Sequence, residues 1–512
     1  MPNYKIKLLW LIAVSTLIRL LLSLSTELGN VEVYYWSWSQ HLQWNYFDHP
    51  PMVAWMISLT TLGQHFVSEF TVRLGSVVFG AFAIWFMFQA GKLLKDERTG
   101  WVAALLYNAC LYTGVLTSAY VLPDSPQLLF WFASLVVALK IIKGANAQQT
   151  NRLWLLFGLL VGLCIMCKVH GIFLWLGLIL YIGIYDRVMF KNPFVYLAAL
   201  VTLIIVSPVL IWNYQHHWIT WHFQSNRITV TGQHINLLRF IKQFFAVVFV
   251  VGPIIVFLVW QSVFVFYKQQ TGILKKQLQF ILCCSLPLIT FLLVVSLFRE
   301  VYAHWVGPVY ATLLLLPALR LTERPKPSIV LNWAVMYCVI IAAMTPLVIN
   351  YLPGTTAIRK ETLTTGTGDE TVDMVGWREA GTQFNTLYQN DVKKGLVKAG
   401  CPVLISAWTP GAATEFYLAR NTGQQLVGVG NIDSLHQYFF TNASKKPLVA
   451  GDDAYYIFVS NHFDKHMTDF LPDHFEKAEN ALTVPIYRQG LLCKQYYIFR
   501  LNNYQNTVSP GN

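Results

Sequence analysis

The chain contains about eleven runs of roughly 20 predominantly apolar residues, and few folds accept that pattern. Hydrocarbon supplies no water to the backbone, so each run has to satisfy its own N–H and C=O groups as a helix. The runs fall near residues 6–24, 72–92, 100–117, 125–142, 153–168, 170–186, 193–212, 238–262, 277–297, 304–320 and 329–350. The composition agrees: 55% of the 512 residues are hydrophobic and 12% charged, with a mean hydropathy of +0.47. A soluble protein carries about twice that charge fraction. The expected fold class is therefore a polytopic α-helical membrane protein. Leu8–Leu24 could pass for a signal peptide, but Arg19 interrupts it and no small-residue cleavage site follows, which makes it a retained span. Residues 52–63, after Pro50-Pro51, are apolar but too short to cross and read as an interfacial helix.

Cations orient the spans. Of 23 Lys/Arg before residue 352, sixteen lie in alternate connections, from Lys5 and Lys7 through Lys92, Lys95 and Arg98 to Arg320, Arg324 and Lys326. Such loops are cytoplasmic. An odd number of spans then puts the N-terminus in the cytoplasm and everything after residue 351 outside. Residues 352–512 hold 14 basic and 15 acidic side chains, so the net charge of +12 belongs to the membrane part. The basic groups are topology signals, and the expected partners are membrane lipids, not nucleic acid.

Two domains follow: a transmembrane domain over 1–351 with an outer loop at 25–71, and an outer α/β domain over 352–512 behind a Thr/Gly-rich linker at 354–369. In the outer domain Pro402–Ala407, Gln425–Val429, Tyr455–Val459 and Tyr496–Arg500 read as strands. Gly411–Arg420, Asp433–Phe440 and His462–Leu471 read as helices. It has no phosphate loop, metal spacing or nucleophile elbow, which suits a lid or an acceptor-binding module. Cys110, Cys164, Cys167, Cys283, Cys284 and Cys338 lie in predicted spans as small packing residues, whereas Cys401 and Cys493 could pair in an oxidising compartment.

Chemistry is expected in the outer loop, which reads Val31-Glu32-Val33-Tyr34-Tyr35-Trp36-Ser37-Trp38 and then Tyr46-Phe47-Asp48-His49-Pro50-Pro51. Ionisable groups beside hydrocarbon are costly and usually have a partner or a task. With cytoplasmic charges set aside, the acids left are Glu27, Glu32, Asp48, Glu69, Asp124 and Glu300. The cations left are Arg19, Arg73, Lys168, Arg227, Arg239, Lys242 and Arg299. Several have a structural reading beside the functional one. Arg19 and Arg73 can snorkel or pair, Glu27 and Glu69 can be solvated rim charges, and Arg239 and Lys242 can close a span end. Asp124 can cap the helix it opens. His216, His217 and His222 hint at a metal, but Trp218 and Trp221 beside them suit an aromatic belt. A carboxylate that takes an acceptor proton and cations that hold a departing phosphate together suit transfer from a phosphate-bearing donor. The rival frame is transport of an amphipathic anion, but no internal repeat or interrupted mid-membrane helix is evident.

The outer-loop motif resembles that of bacterial membrane glycosyltransferases of the dolichyl-phosphate-mannose–protein mannosyltransferase (PMT) type, glycosyltransferase family 39, which include the lipid A aminoarabinose transferases and have the GT-C architecture. Matching segments follow in order: Pro123-Asp124-Ser125-Pro126, Lys168, Ser207-Pro208 through Asn213, Trp218, Phe223 with Arg227, Arg299-Glu300-Val301, Trp305 and Pro308. Gly376-Trp377-Arg378-Glu379 and Glu415-Phe416-Tyr417 come later. The resemblance implies an inverting hexosyl or pentosyl transfer from a polyprenyl-phosphate sugar to a hydroxyl of lipid A, protein or another envelope glycan. The place would be the periplasmic face of a bacterial inner membrane. Glu32, Asp48 and Asp124 would then be the catalytic acids. His49 (if protonated), Lys168, Arg227, Arg299, His304 and Tyr35 would be substrate contacts. No organic cofactor is implied, no metal ligands are assigned, and a divalent cation is compatible. Two positions depart from the family pattern: Val31 stands where it has an Asp, and His304 where an Asn is usual. The alternative is a lipid-linked-sugar binding or transport protein without transfer.

Overall fold

The computed structural model describes residues 3–144, 147–323, 329–353, 363–463, 471 and 473–505. The chain divides into two compact units, Met1–Ser23 with Leu42–Ala343, and Leu24–His41 with Met344–Asn512. The outer loop is thereby split. Its Glu32 half packs with the C-terminal residues, and its Asp48 half belongs to the helical unit.

Among the described residues, eight helices are long and apolar enough to cross a membrane: Tyr4–Leu24, Glu69–Leu94, Asp124–Lys143, Gln148–Cys167, Pro193–Gln215, Gly272–Ser296, Ala303–Thr322 and Ile329–Tyr351. Two further stretches are bent, Glu97–Ala109 with Tyr112–Ala119 by 79° and Leu237–Val251 with Pro253–Gln269 by 95°. Val169–Tyr185 is apolar but shorter. Every expected span lies on one of these elements, and the protein is a multi-pass membrane protein; the length criterion counts eight crossings, or ten if each bent pair is one. The 95° bend has a plain cause: Gly252 sits at φ 103, and Pro253 has no N–H to continue the ladder. At the other bend Cys110 leaves the helix in extended conformation, and a π-helical turn, Tyr112–Leu116, follows.

Both buried arginines of the helical unit are absorbed structurally. The Arg19 guanidinium donates from Nε to the Gly114 carbonyl at 3.1 Å and from Nη2 to Asn108 Oδ1 at 2.9 Å, using a carbonyl of the π-helical turn. Arg73 donates to the Ser23 carbonyl at 2.8 Å and stacks over Tyr120. Small residues set the closest helix approach. A Cβ on Gly158 would lie 2.2 Å from the Ala198 carbonyl oxygen, and one on Gly162 would meet Ile205 at 2.9 Å. Thr202 bonds the Gly158 carbonyl at 2.7 Å across that contact, the small-residue packing that joins helices in lipid.

The second unit holds a five-stranded sheet of order β2-β1-β3-β5-β4, with β1 Val403–Ile405, β2 Leu426–Gly428, β3 Ala454–Val459, β4 Phe475–Arg488 and β5 Leu491–Tyr504. β1 runs parallel to β2 and β3, and β5 antiparallel to β3 and β4. The expected strands and the 411–420 helix are present. The 433–440 helix is broken at His436. Most of the expected helix 462–471, and linker residues 354–362, lie outside the described residues. β4 and the helix Trp377–Lys393 were not anticipated. β4 is an edge strand rich in Glu, Lys and Asn, and Pro485 within it argues against a strand everywhere except at an edge. Cys401 and Cys493 are both buried free thiols.

Glu27 is no rim charge. Its carboxylate accepts from the backbone N–H of Trp377 at 2.8 Å and of Arg378 at 3.1 Å, capping that helix. In the same unit Glu32 caps its own helix: Oε2 accepts from the N–H of the cap residue Gly29 at 2.9 Å, at the start of the helix Asn30–Ser39. Tyr35 is buried there with its ring against Tyr34 and Trp38.

Candidate active site

The helical unit gathers one ionic cluster. Asp124 opens the helix Asp124–Lys143, but Pro123 occupies the cap position and the Asp124 carboxylate caps nothing. It is fully buried and engaged at both oxygens. Oδ1 accepts from the Tyr112 hydroxyl at 2.6 Å, and Oδ2 accepts from Lys168 Nζ at 2.7 Å. Lys168, just past the end of its span, is also buried, with 3% of its side chain exposed. The capping reading of Asp124 is thus replaced by an internal ion pair. A buried carboxylate with both oxygens committed is poorly placed to accept a substrate proton. A lysine already met by that carboxylate offers a phosphate only part of its charge.

Around this pair lie the half-buried rings of His49 and His304. The charges of Lys168, Asp124 and Arg227 act on both. Burial, then Lys168 and Arg227, push His49 well below the ordinary imidazole range, with Asp124 opposing. This disfavours the protonated form on which a phosphate contact by His49 would depend. His304 stacks on Tyr302, centroids 5.7 Å apart.

Arg227 differs from the buried pair. Its guanidinium lies over the rings of Phe223, at 4.7 Å, and Tyr302, at 5.4 Å. Among the described residues it makes no hydrogen bond or ion pair. Two aromatic faces hold the charge without consuming its donors, which leaves the planar fork for an anion. Arg299 has a bracing contact, Nε to the Thr229 carbonyl at 2.7 Å, just past the helix Ile219–Ile228 that carries Arg227. Asp48 is half-buried, and its backbone carbonyl accepts from Gln224 Nε2 at 2.6 Å on that same helix. Phe47, its neighbour, packs on Phe223 at 4.8 Å.

Asp48, His49, Asp124, Lys168, Arg227, Arg299 and His304 thus all lie in the helical unit, while Glu32 and Tyr35 lie in the other. Tyr112 and Tyr302 were missed. Tyr112 lies in an apolar run, where an aromatic is the default core residue, and Tyr302 lies in a loop where the neighbouring charges carried the signal. His216 stacks flat on Trp212 at 3.8 Å, in keeping with the belt reading. No group of three or more His, Cys, Asp or Glu suited to a metal occurs among the described residues.

Residues 48–212 match the family described as dolichyl-phosphate-mannose-protein mannosyltransferase. The structure matches ArnT from Cupriavidus metallidurans over 95% of this chain and 97% of that one. The TM-score is 0.61 for apo ArnT, at 13% identity, and 0.64 for ArnT bound to undecaprenyl phosphate, at 14% identity. Over residues 48–212 the chain is thus similar to the PMT family, and its fold is that of ArnT. A lipid A galacturonosyltransferase, RgtD of Rhizobium johnstonii, is 28% identical over 280 residues, 54% of this chain. The match spans 57% of that relative's length. The family match begins at Asp48, so the PMT-type region includes Asp48, His49, Asp124 and Lys168 and starts downstream of Glu32.

Proposed function

We propose that this protein transfers a sugar from a polyprenyl-phosphate carrier to a hydroxyl of lipid A or a similar envelope acceptor, with inversion at the anomeric carbon. The observation that carries the reading is Arg227: a cation held by two aromatic rings, with open donors, acting on the same His49 and His304 as the buried Asp124–Lys168 pair. In the step, the acceptor oxygen bonds to the anomeric carbon and the bond from that carbon to the phosphate oxygen breaks. The electron pair leaves with the phosphate, where Arg227 meets the growing charge. Asp48 takes the acceptor proton. Asp48 is assigned as the base because it lies in the same unit as Arg227 and next to His49, on which Arg227 and Lys168 both act, whereas Glu32 lies in the other unit. Support for this substrate class comes from the fold shared with an undecaprenyl-phosphate-bound protein and from the similarity to a lipid A transferase. The reaction as written requires no metal or organic cofactor. The N-terminus would face the cytoplasm and the second unit the periplasm, which a reporter fused after residue 351 would show by being active outside only.

The test is transfer from a labelled polyprenyl-phosphate sugar in membranes. Asp48→Asn should abolish turnover, and Arg227→Ala should weaken donor use roughly ten- to a hundredfold, the worth of a hydrogen bond to a charged group. Wild-type rates in both variants would overturn the assignment. Val31, 40% exposed where the family has an acid, favours a second reading, a carrier-binding protein without transfer. Saturable donor binding with no turnover by the wild type would establish that reading instead.

A further inference from the structure

The Asp124–Lys168 pair has a third member that nothing above assigns a task. Tyr112 is fully buried and donates its hydroxyl to Asp124 Oδ1 at 2.6 Å, leaving Oδ2 alone for Lys168 at 2.7 Å. Its ring lies directly on Gly307: a Cβ there would fall 2.1 Å from the phenol carbon. Gly307 opens the helix that follows Ala303–Val306, the turn carrying His304. One side chain therefore touches the ion pair with its hydroxyl and the His304 segment with its ring. It also begins the π-helical turn at the 79° bend, and such turns are frequent at functional sites. That turn does not depend on the phenol. The Thr117 hydroxyl donates to the Tyr112 carbonyl at 3.1 Å, and Ser118 to the Thr113 carbonyl at 2.6 Å.

We propose that Tyr112 is a positioning residue that controls how much of the Lys168 charge reaches the carrier phosphate, a role that rests on the function proposed above. A carboxylate with both oxygens free can turn both toward an ammonium and neutralise it. With one oxygen committed to Tyr112, Asp124 meets Lys168 through a single oxygen. More of the positive charge then remains directed at the space shared with His49, His304 and Arg227. The plain structural alternative is a buried tyrosine that merely needs an acceptor. The two readings differ in what Tyr112→Phe does. The ring, its seat on Gly307 and the π-helical turn all survive; only the hydrogen bond to Asp124 is lost.

The experiment measures binding of undecaprenyl phosphate itself to the full chain in nanodiscs, alongside thermal unfolding. Tyr112→Phe should lower affinity for this probe, through the charge left on Lys168 and not through a bond to the probe itself. In transfer assays the loss should appear in KM for the donor more than in kcat. In a Lys168→Met background, Tyr112→Phe should have no further effect on affinity, because no charge remains to regulate. Gly307→Ala, which unseats the ring, should reproduce the affinity loss if Tyr112→Phe proves too unstable to purify. Unchanged probe affinity in Tyr112→Phe, or an equal loss with and without Lys168, overturns the inference while leaving the transferase reading intact. A wild type that binds no undecaprenyl phosphate overturns both together.

Discussion

Replacing Lys168 by Met tests whether the buried ion pair is part of the site or only part of the scaffold. The wild-type pair lies at 2.7 Å with side chains 3% and 0% exposed. At an effective dielectric of ~20, two unit charges at that separation attract by about 6 kcal/mol. Desolvation of both ions offsets much of this, so the net worth of the pair is small. Removing one partner is different, because Asp124 keeps its desolvation cost and loses its counter-charge; Tyr112 remains as a neutral donor. The expected loss for Lys168→Met is about 3–5 kcal/mol. Asp124→Leu should cost a similar amount. The double variant should recover most of the stability, since neither charge is then buried alone. Thermal or denaturant unfolding in detergent, with donor binding measured on each variant, separates the two roles. A scaffold-only pair predicts that the double variant regains binding along with stability. A functional pair predicts recovered stability and lost binding. If Lys168→Met unfolds like the wild type, the electrostatic reasoning here is wrong.

Three further predictions follow from single contacts. The folded value of His49 lies below the unfolded one of about 6.5, so the unfolded chain binds the extra proton. Its contribution to stability is complete above pH ~6.5 and declines as pH falls below it, by up to about 1.4 kcal/mol per unit. His49→Gln should flatten an unfolding-versus-pH profile between pH 5 and 7; an unchanged slope would show that folding does not shift the imidazole's titration. Gly158→Leu should push the helix Pro193–Gln215 away and destabilise the helical unit by roughly 1–3 kcal/mol or more, read as a lower unfolding temperature, because its Cβ position lies 2.2 Å from the Ala198 carbonyl. Glu27→Ala should cost the second unit about 1–2 kcal/mol by uncapping Trp377–Lys393, seen as faster proteolysis there and little change in the helical unit.

Fold class was legible because hydrocarbon leaves one option for the backbone, so hydropathy alone placed the spans. The bends were not. Cys110 and Gly252 are unremarkable letters in apolar runs, and only the second is followed by a proline. The split outer loop was equally hidden. Chain order puts Glu32 sixteen residues before Asp48, and nothing in that spacing says that residues 24–41 pack with residues beyond 344. Glu27 shows why: its partners, the N–H groups of Trp377 and Arg378, are backbone donors about 350 positions away, and backbone donors leave no trace in residue identity.

The site was legible as a set of charges but not as a set of roles, since a role depends on what each charge already touches. Glu32, Asp48 and Asp124 looked alike as acids outside the cytoplasmic loops. Their partners separate them. One carboxylate is spent on a helix cap and one on a tyrosine and a lysine. The cations separate by the same logic. Lys168 is answered by Asp124, Arg299 braces a carbonyl, and Arg227 rests on rings that leave its donors open. Val31 then matters less than its place in the motif suggests. An acid at position 31 would stand on the helix Asn30–Ser39, in the unit that also holds the committed Glu32. Of the outer-loop acids Glu32 and Asp48, it is Asp48 that shares a unit with Arg227, one residue from the histidine on which Arg227 and Lys168 both act. Restoring the family acid with Val31→Asp should therefore leave turnover within a few-fold of wild type, whereas Asp48→Asn should remove it. A Val31→Asp variant that rescues an Asp48→Asn enzyme would show instead that the two halves of the loop share one catalytic task.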